Sequence, residues 1–192
     1  MKLPIFTILT ILTAVNGQNA SAKPLVCPDF LLTRLAGFNE HLRLEKAGMP
    51  GVFQEDFDYV SQTLKDTPDM VNCSESLGTP LTYSLNIHMN LCTLPYAAQY
   101  LIDHGANVNQ GDEILQYTPL YDAVEAYGSI YGNPEISELK NEDVCGKEVS
   151  EQTLNGFVQT LITHGADKNY ETDVHESISK VASYYRVQSI IK

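Results

Sequence analysis

The sequence contains a nine-residue element that occurs twice, and this internal repeat limits the possible folds more than any other feature. Residues 101–109 have the sequence LIDHGANVN and residues 161–169 have LITHGADKN, so six of nine positions are identical, 60 residues apart. A weaker copy, LKDTPDMVN, occupies residues 64–72. Repetition of this kind is typical of repeat proteins, in which each unit buries its apolar face only against its neighbours.

A second element accompanies the first, and together they predict the secondary structure of one unit. Residues 79–81 and 118–120 are both Thr-Pro-Leu, which predicts a helix start because threonine caps a helix and proline suits its first turn. Residues 176–181 are a degenerate counterpart. Gly105 and Gly165 predict helix ends, because glycine takes the left-handed conformation that follows a helix. The unit is therefore predicted to be a helix, a loop, a second helix and a projecting turn.

These elements resemble the ankyrin repeat, whose hallmarks are Thr-Pro-Leu-His-x-Ala followed by Leu-Leu-x-x-Gly-Ala-Asp-x-Asn. The resemblance covers residues 59–192. It implies an all-α fold, an ankyrin-repeat solenoid of about three to four degenerate repeats. Thr82 and Tyr121 stand where the family has histidine. Both units also carry extra residues between their two helices, and the longer insertion is predicted to be an ordered loop over residues 128–150.

The segment before the repeats is predicted to be an N-terminal cap over residues 23–58. Residues 29–47 place apolar side chains at nearly helical spacing, which predicts a capping helix that ends at Gly48. Residues 53–64 are predicted to form the next helix. A repeat stack needs such a cap because its end unit otherwise exposes an apolar face.

The first 22 residues are predicted to be a signal peptide that is absent from the mature protein. Lys2 precedes an apolar run at residues 5–15, and residues 20–22 are Ala-Ser-Ala, a small-x-small cleavage pattern. The run is shorter than the roughly 20 residues that span a bilayer, so no membrane insertion is expected. The predicted location is a bacterial periplasm, with secretion as the alternative.

Export makes disulfides the expected state of the four cysteines, Cys27, Cys73, Cys92 and Cys145. Four cysteines allow three pairings, and their spacing alone does not choose among them. The ankyrin-like architecture implies Cys27–Cys73, because both residues lie near the turns. It implies Cys92–Cys145, because both lie in the enlarged loops of neighbouring units.

Charge and motif content argue against several function classes. The chain has 24 acidic and 12 basic residues, a formal net charge of −12 that repels nucleic acid and favours a basic partner. It lacks the Gly-x-Ser-x-Gly, phosphate-loop, calcium-loop and zinc-protease patterns. His104 and His164 occupy equivalent repeat positions and are expected to bond the local backbone. No catalytic residue, metal or other cofactor is therefore predicted.

The resemblance implies a partner-binding surface on the concave side of the stack, formed by the turns and by the first helix of each unit. Tyrosines mixed with carboxylates are the composition expected where aromatic anchors lie within an acidic rim. The residues predicted to contact the partner are Tyr83, Asn86, Ile87, Asp112, Glu113, Leu115, Gln116, Tyr117, Tyr121, Asp122, Glu125, Tyr170, Glu171 and Asp173.

The leading hypothesis is an exported, non-enzymatic ankyrin-type protein, monomeric before it forms a complex, that binds and inhibits a basic cell-envelope hydrolase. The expected target is a peptidoglycan-cutting enzyme or a lipase, and the role is self-protection, or immunity. One alternative is a secreted effector that binds a host protein through the same surface. Another is a small hydrolase built on the 128–150 insertion, with Glu142 and Asp143 as its carboxylates. A structural or redox-chaperone role is the remaining alternative.

Overall fold

The described part of the computed structural model is helical. It covers residues 25–46, 48–49, 51–75, 78–85, 94–112, 114–133, 150–173 and 175–192. The helices are α1 (Asp29–Lys46), α2 (Val52–Asp66), α3 (Pro80–Leu85), α4 (Leu94–Asp103), α5 (Pro119–Tyr131), α6 (Glu151–Thr163) and α7 (Ile178–Tyr184), with short 3-10 helices at Pro68–Asn72 and Gln188–Ile191. Across these ranges the only β-structure is isolated bridges. The predicted all-α class is confirmed for this part of the chain.

The helices pack as pairs in series. Helix α1 packs on α2, α3 on α4 and α5 on α6, and the first members of these pairs also contact one another in the order α1, α3, α5, α7. The 3-10 helix Gln188–Ile191 packs on both α6 and α7. Each helix pair therefore buries its apolar face against the next pair along the chain, as the internal repeat predicts.

Equivalent hydroxyl caps begin three of the helices that contact in series. The Thr79 Oγ1 atom accepts from the Thr82 backbone N–H at 3.2 Å, and Ser177 Oγ accepts from the Lys180 N–H, also at 3.2 Å. Thr118 caps α5 in the same way. Each cap satisfies one of the N–H groups that a helix start leaves without an intrahelical partner. The two Thr-Pro-Leu elements and their degenerate counterpart thus all start helices.

The two copies of the nine-residue element end their helices with the same geometry. Gly105 and Gly165 have φ angles of +88° and +90°. The N–H of the following alanine returns to the carbonyl of the leucine five residues earlier, at 3.0 Å in both copies. A side chain at either glycine would strain this left-handed backbone. The predicted helix ends are confirmed.

Asparagine side chains connect each turn to the next. The Nδ2 atom of Asn72 donates to the Gly105 carbonyl at 3.0 Å, and its Oδ1 atom accepts from the Asn107 N–H at 2.6 Å. Asn109 repeats both bonds one unit later, to Gly165 at 2.9 Å and from Asp167 at 2.7 Å. This repetition sets the register between units and confirms that residues 64–72 are equivalent to the two stronger copies.

The cap at the start of the chain is held by a disulfide and a buried ion cluster. Cys27 and Cys73 are disulfide-bonded with their Cα atoms 4.9 Å apart, which is one of the two predicted pairings. Asp56 of α2 is fully buried, and its two carboxylate oxygens contact Arg34 and His41 of α1. Because a buried charge is costly unless it is paired, this cluster fixes how α1 and α2 pack.

Some predicted features differ from the structure or lie outside the described residues. The loop expected from residue 128 begins later, because residues 128–131 continue helix α5 and three of them are buried. The expected cap boundary between residues 58 and 59 falls inside α2. The signal peptide, residues 134–149 of the insertion and the Cys92–Cys145 pair lie outside the described residues.

Candidate partner-binding surface

The turn before α5 is organised by one carboxylate. Oδ1 of Asp112 accepts the backbone N–H groups of Ile114, Leu115 and Gln116, and Oδ2 accepts that of Tyr117 at 2.9 Å. A carboxylate that accepts several backbone N–H groups fixes a turn firmly. Asp112 was predicted to contact a partner, and the structure places it as the residue that holds this turn.

Consecutive turns are joined through a side-chain pair. The Nε2 atom of Gln116 donates to Asp173 Oδ2 at 2.7 Å, and its Oε1 atom accepts from the Asp173 N–H at 3.1 Å. Gln116 has a φ angle of +61°, and His175, at the equivalent place in the next turn, has +62°. Non-glycine residues adopt this conformation at a cost, which the bonds made around the turn offset. Gln116 and Asp173, which were both predicted to contact a partner, therefore lie together on the turn side.

Two apolar side chains project from the same turn. Ile114 is 61% exposed and Leu115 is 51% exposed, although both are large aliphatic residues. The carboxylate of Asp112 beneath them fixes their backbone, so they are presented on a rigid loop. Preformed apolar anchors of this kind cost little conformational entropy when a partner covers them.

Next to this tip, two tyrosines stack in parallel. The ring centroids of Tyr117 and Tyr121 are 4.1 Å apart, with an interplanar angle of 11°. Tyr121 is 5% exposed, and burial followed by its hydrogen bond with Tyr117 raises the pKa of its phenol well above the usual value. Tyr121 is therefore an uncharged, buried side chain, whereas half-buried Tyr117 still reaches the surface.

Helix α5 carries two carboxylates beside the tyrosine stack. Burial raises the pKa of Asp122 well above its usual range, and the negative charges of Glu125 and Asp112 raise it further. Within the described residues, the Asp122 carboxylate takes part in no hydrogen bond or ion pair, and both Asp122 and Glu125 are half-buried. A carboxylate in this setting is stabilised by any cation that approaches it.

An open groove of about 480 Å³ lies between α5 and α7. Lys180, the basic residue among the described residues that line it, donates its ammonium to the His175 carbonyl at 2.9 Å. Tyr184, on the α7 side, is 62% exposed. The groove is lined by Tyr117, Tyr121, Glu125, Glu176, Lys180, Val181, Tyr184 and Tyr185. We call these residues, with Ile114, Leu115 and Asp122, the α5–α7 surface.

Glycine allows the two helices of this surface to approach closely. An ideal Cβ atom on Gly128 would lie 2.4 Å from Cγ of Tyr185. The Tyr185 hydroxyl accepts from Ser129 Oγ at 3.1 Å, and its carbonyl accepts from the Asn133 N–H at 2.9 Å. Tyr185 thus joins the end of α7 to the end of α5 and lines the groove between them.

The remaining residues that were predicted to contact a partner lie outside the α5–α7 surface or outside the described residues. Tyr83, on α3, is half-buried, and burial followed by the charge of Glu75 raises its pKa. Tyr170 is half-buried, and burial also raises its pKa. Glu171 is exposed and bonds His175 at 2.8 Å. Asn86, Ile87 and Glu113 lie outside the described residues.

The structure adds residues that the sequence-based prediction missed. Ile114, Glu176 and Tyr184 belong to the surface, as do Lys180 and Tyr185 in the groove. The degenerate helix start at residues 176–181 is the signal that could have placed them, since α7 occupies the position of α5 in the next unit.

The histidines of the nine-residue element play the local role predicted for them. His104 Nδ1 donates to the Tyr100 carbonyl at 2.7 Å, and His164 Nδ1 donates to the Thr160 carbonyl at 2.8 Å. Within the ranges that the structure describes, no group of three or more His, Cys, Asp or Glu residues could hold a metal ion. No helix in the described part of the chain is both long and apolar enough to cross a membrane.

Comparison with models of known protein families found no match, and comparison with curated proteins found none either.

Proposed function

We propose that the chain is an exported ankyrin-type protein that binds a basic cell-envelope hydrolase and inhibits it by covering its active site. The observation that carries this proposal is the α5–α7 surface, where exposed apolar residues, tyrosines and carboxylates adjoin one groove. Aromatic anchors beside a charged rim are the usual composition of a protein-binding site.

The ankyrin assignment is supported by the repetition of local geometry. The paired glycine turns, the Thr79, Thr118 and Ser177 caps and the two asparagine bridges recur in step along the chain. A stack with such turns presents a continuous face formed by its turns and first helices. Proteins of this architecture use that face to bind other proteins.

The inhibitory role is supported by charge. The net charge of −12 favours encounter with a cationic protein, and it increases the association rate at low salt. Enzymes that act on anionic wall polymers or anionic lipids benefit from a basic surface. A periplasmic location agrees with the Cys27–Cys73 disulfide, because disulfides persist in oxidising compartments.

The test is a titration of enzyme activity. The purified protein is immobilised, a salt gradient elutes the proteins that it retains from an envelope extract of its own cells, and the eluted hydrolase is assayed. We expect its activity to fall linearly with added protein and to reach its minimum at one molecule per enzyme. A retained hydrolase that stays fully active with saturating protein bound contradicts the proposal.

A matched variant shows whether inhibition uses the proposed surface. Leu115→Ser removes an exposed apolar side chain from the turn tip, whereas Met49→Ser removes one that is 53% exposed between α1 and α2 of the cap. We expect the first change to weaken inhibition at least tenfold and the second to leave it within twofold. Equal effects of the two changes would exclude the turn tip as a contact.

A further inference from the structure

We propose that the groove between α5 and α7 is a pocket for an arginine side chain of the bound protein. This inference rests on the proposed function, and it names the chemistry of the partner at that site. The aromatic walls of the groove, its negative charge and its size all fit a guanidinium group.

The walls of the groove are aromatic on both sides. The parallel stack of Tyr117 and Tyr121 lies on the α5 side, and Tyr184 and Tyr185 meet edge to face on the α7 side, with ring centroids 4.9 Å apart. Tyrosine faces attract cations through the negative potential of the ring. A planar guanidinium also stacks on such faces, whereas an ammonium group cannot.

The charge of the groove is negative. Glu125 and Glu176 line it from the two helices, and both are half-buried. Among the described lining residues, Lys180 contributes an ammonium group, which donates to the His175 carbonyl. Asp122 lies on the same face of α5, close enough to Glu125 for their charges to interact. Carboxylates on two sides match the forked donors of a guanidinium.

The groove is large enough to hold one long side chain. A volume of about 480 Å³ with an open mouth is enough for one extended arginine and its neighbouring backbone. Tyr185 also lines the groove, and its ring packs against Gly128 of α5. A side chain that enters the groove therefore lies among the tyrosines and the two carboxylates that line it.

The test uses a small probe. Acetyl-Gly-Gly-Arg-Gly-Gly-amide is titrated into isotope-labelled protein, with the citrulline peptide as the uncharged isostere, and chemical shifts are followed. We expect saturable shifts at residues of the groove with the arginine peptide and at least tenfold weaker binding of the citrulline peptide. A lysine peptide should bind with intermediate affinity. Absence of saturable shifts in the groove overturns the proposal.

Matched variants separate the pocket from net charge. Glu125→Gln with Glu176→Gln removes two charges from the groove, and Asp58→Asn with Asp66→Asn removes two from exposed positions on α2. We expect the first pair to weaken binding at least fivefold and the second less than twofold. Equal weakening by the two pairs contradicts the pocket, because it means that only net charge attracts the probe.

Two single changes keep the test decisive if the groove pair does not fold. Tyr184→Ala removes a largely exposed wall and should weaken binding at least threefold. Lys180→Met removes the competing ammonium and should strengthen binding. If Tyr184→Ala does not weaken peptide binding and Lys180→Met does not strengthen it, the inference is wrong.

The peptide experiment contains no hydrolase, so its outcome is independent of the inhibition titration. A failed peptide titration leaves the proposed inhibition intact, and a failed inhibition titration leaves the peptide result intact.

Discussion

Asp112 and Asp122 are two carboxylates that the fold uses in opposite ways. Asp112 accepts four backbone N–H groups and fixes the turn before α5. Burial raises the pKa of Asp122, and the nearby negative charges of Glu125 and Asp112 raise it further. A carboxylate of the second kind costs stability in the free protein and recovers it when a cation binds.

Asp122→Asn should stabilise the free protein at neutral pH. The pKa of Asp122 is raised in the folded state, so folding favours its protonated form, and the stability of the protein falls as the pH rises above the unfolded-state value near 3.8. We expect the variant to gain about 1 kcal/mol of unfolding free energy at pH 7. The gain should shrink as the pH falls and vanish well below pH 3.8, where the carboxyl is protonated in both states.

Urea unfolding of wild type and variant at several pH values measures this difference. Asp58→Asn, at an exposed position on α2, removes the same charge and should change stability by less than about 0.5 kcal/mol. A loss of stability for Asp122→Asn at pH 7 would show that its carboxylate is satisfied in the folded protein.

At the scale of elements, α5 is central because it contacts α3, α6 and α7. In its C-terminal half, Gly128 lets Tyr185 pack closely against the helix backbone. The Tyr127 hydroxyl donates to Oε1 of Glu151, on α6, at 2.6 Å. Burial and that hydrogen bond raise the pKa of Tyr127 to about 12. The α5–α7 surface therefore depends on packing at the end of α5 that is remote from the turn tips.

Gly128→Ala should destabilise the protein. The added methyl group meets the Tyr185 ring at 2.4 Å, so α7 must move, and overpacking of this kind costs about 1–3 kcal/mol. Gly156→Ala in α6 is the matched control, because its Cβ atom meets nothing within 4 Å and alanine favours a helix by about 1 kcal/mol over glycine. Thermal unfolding should show opposite shifts, and stabilisation by both changes would contradict the close contact of α5 with Tyr185.

Asn109→Ala should weaken the connection between successive units. The change removes two hydrogen bonds to the next turn, and we expect a loss of about 1–2 kcal/mol by chemical denaturation. Asn169 has the same place in the last unit, and no bond from its side chain to another turn occurs within the described residues. Asn169→Ala should cost less than about 0.5 kcal/mol. Equal losses would mean that the bridges carry no stability.

The success of sequence-based prediction at this scale follows the range of the interactions. Helix starts at Thr118 and helix ends at Gly105 are decided by bonds within a few residues, so the sequence predicts them correctly. Gly128 suggested a loop, but it lies inside helix α5, where the lack of a side chain makes room for Tyr185, 57 residues later. The groove was missed because it joins α5 to α7, and the start of α7 at Ser177 lacks the Thr-Pro-Leu sequence that marks α5.

For the whole molecule, the ends of the stack differ. At the start, the Cys27–Cys73 disulfide and the Asp56 cluster hold the cap, whereas the far end relies on the 3-10 helix Gln188–Ile191 packed on α6 and α7. A repeat stack unfolds most easily from a weak end, because each unit depends on its neighbours. The disulfide therefore stabilises the end of the described helices that begins with α1.

Cys27→Ser with Cys73→Ser should lower the unfolding free energy by about 2–4 kcal/mol, because the bond closes a loop of 46 residues. Guanidinium unfolding under non-reducing conditions measures the loss. A further loss when reductant is added to this variant is expected from the predicted Cys92–Cys145 pair. An unchanged midpoint in the double variant would show that the disulfide adds nothing to the cap.

Hydrogen exchange on the complex with the captured hydrolase tests the central claim most directly, because it maps which face of the helix stack is covered. We predict new protection at residues 114–126 and 176–185, with little change in α2, α4 and α6. Protection confined to α2, α4 and α6, with none in the α5–α7 surface, would contradict the account.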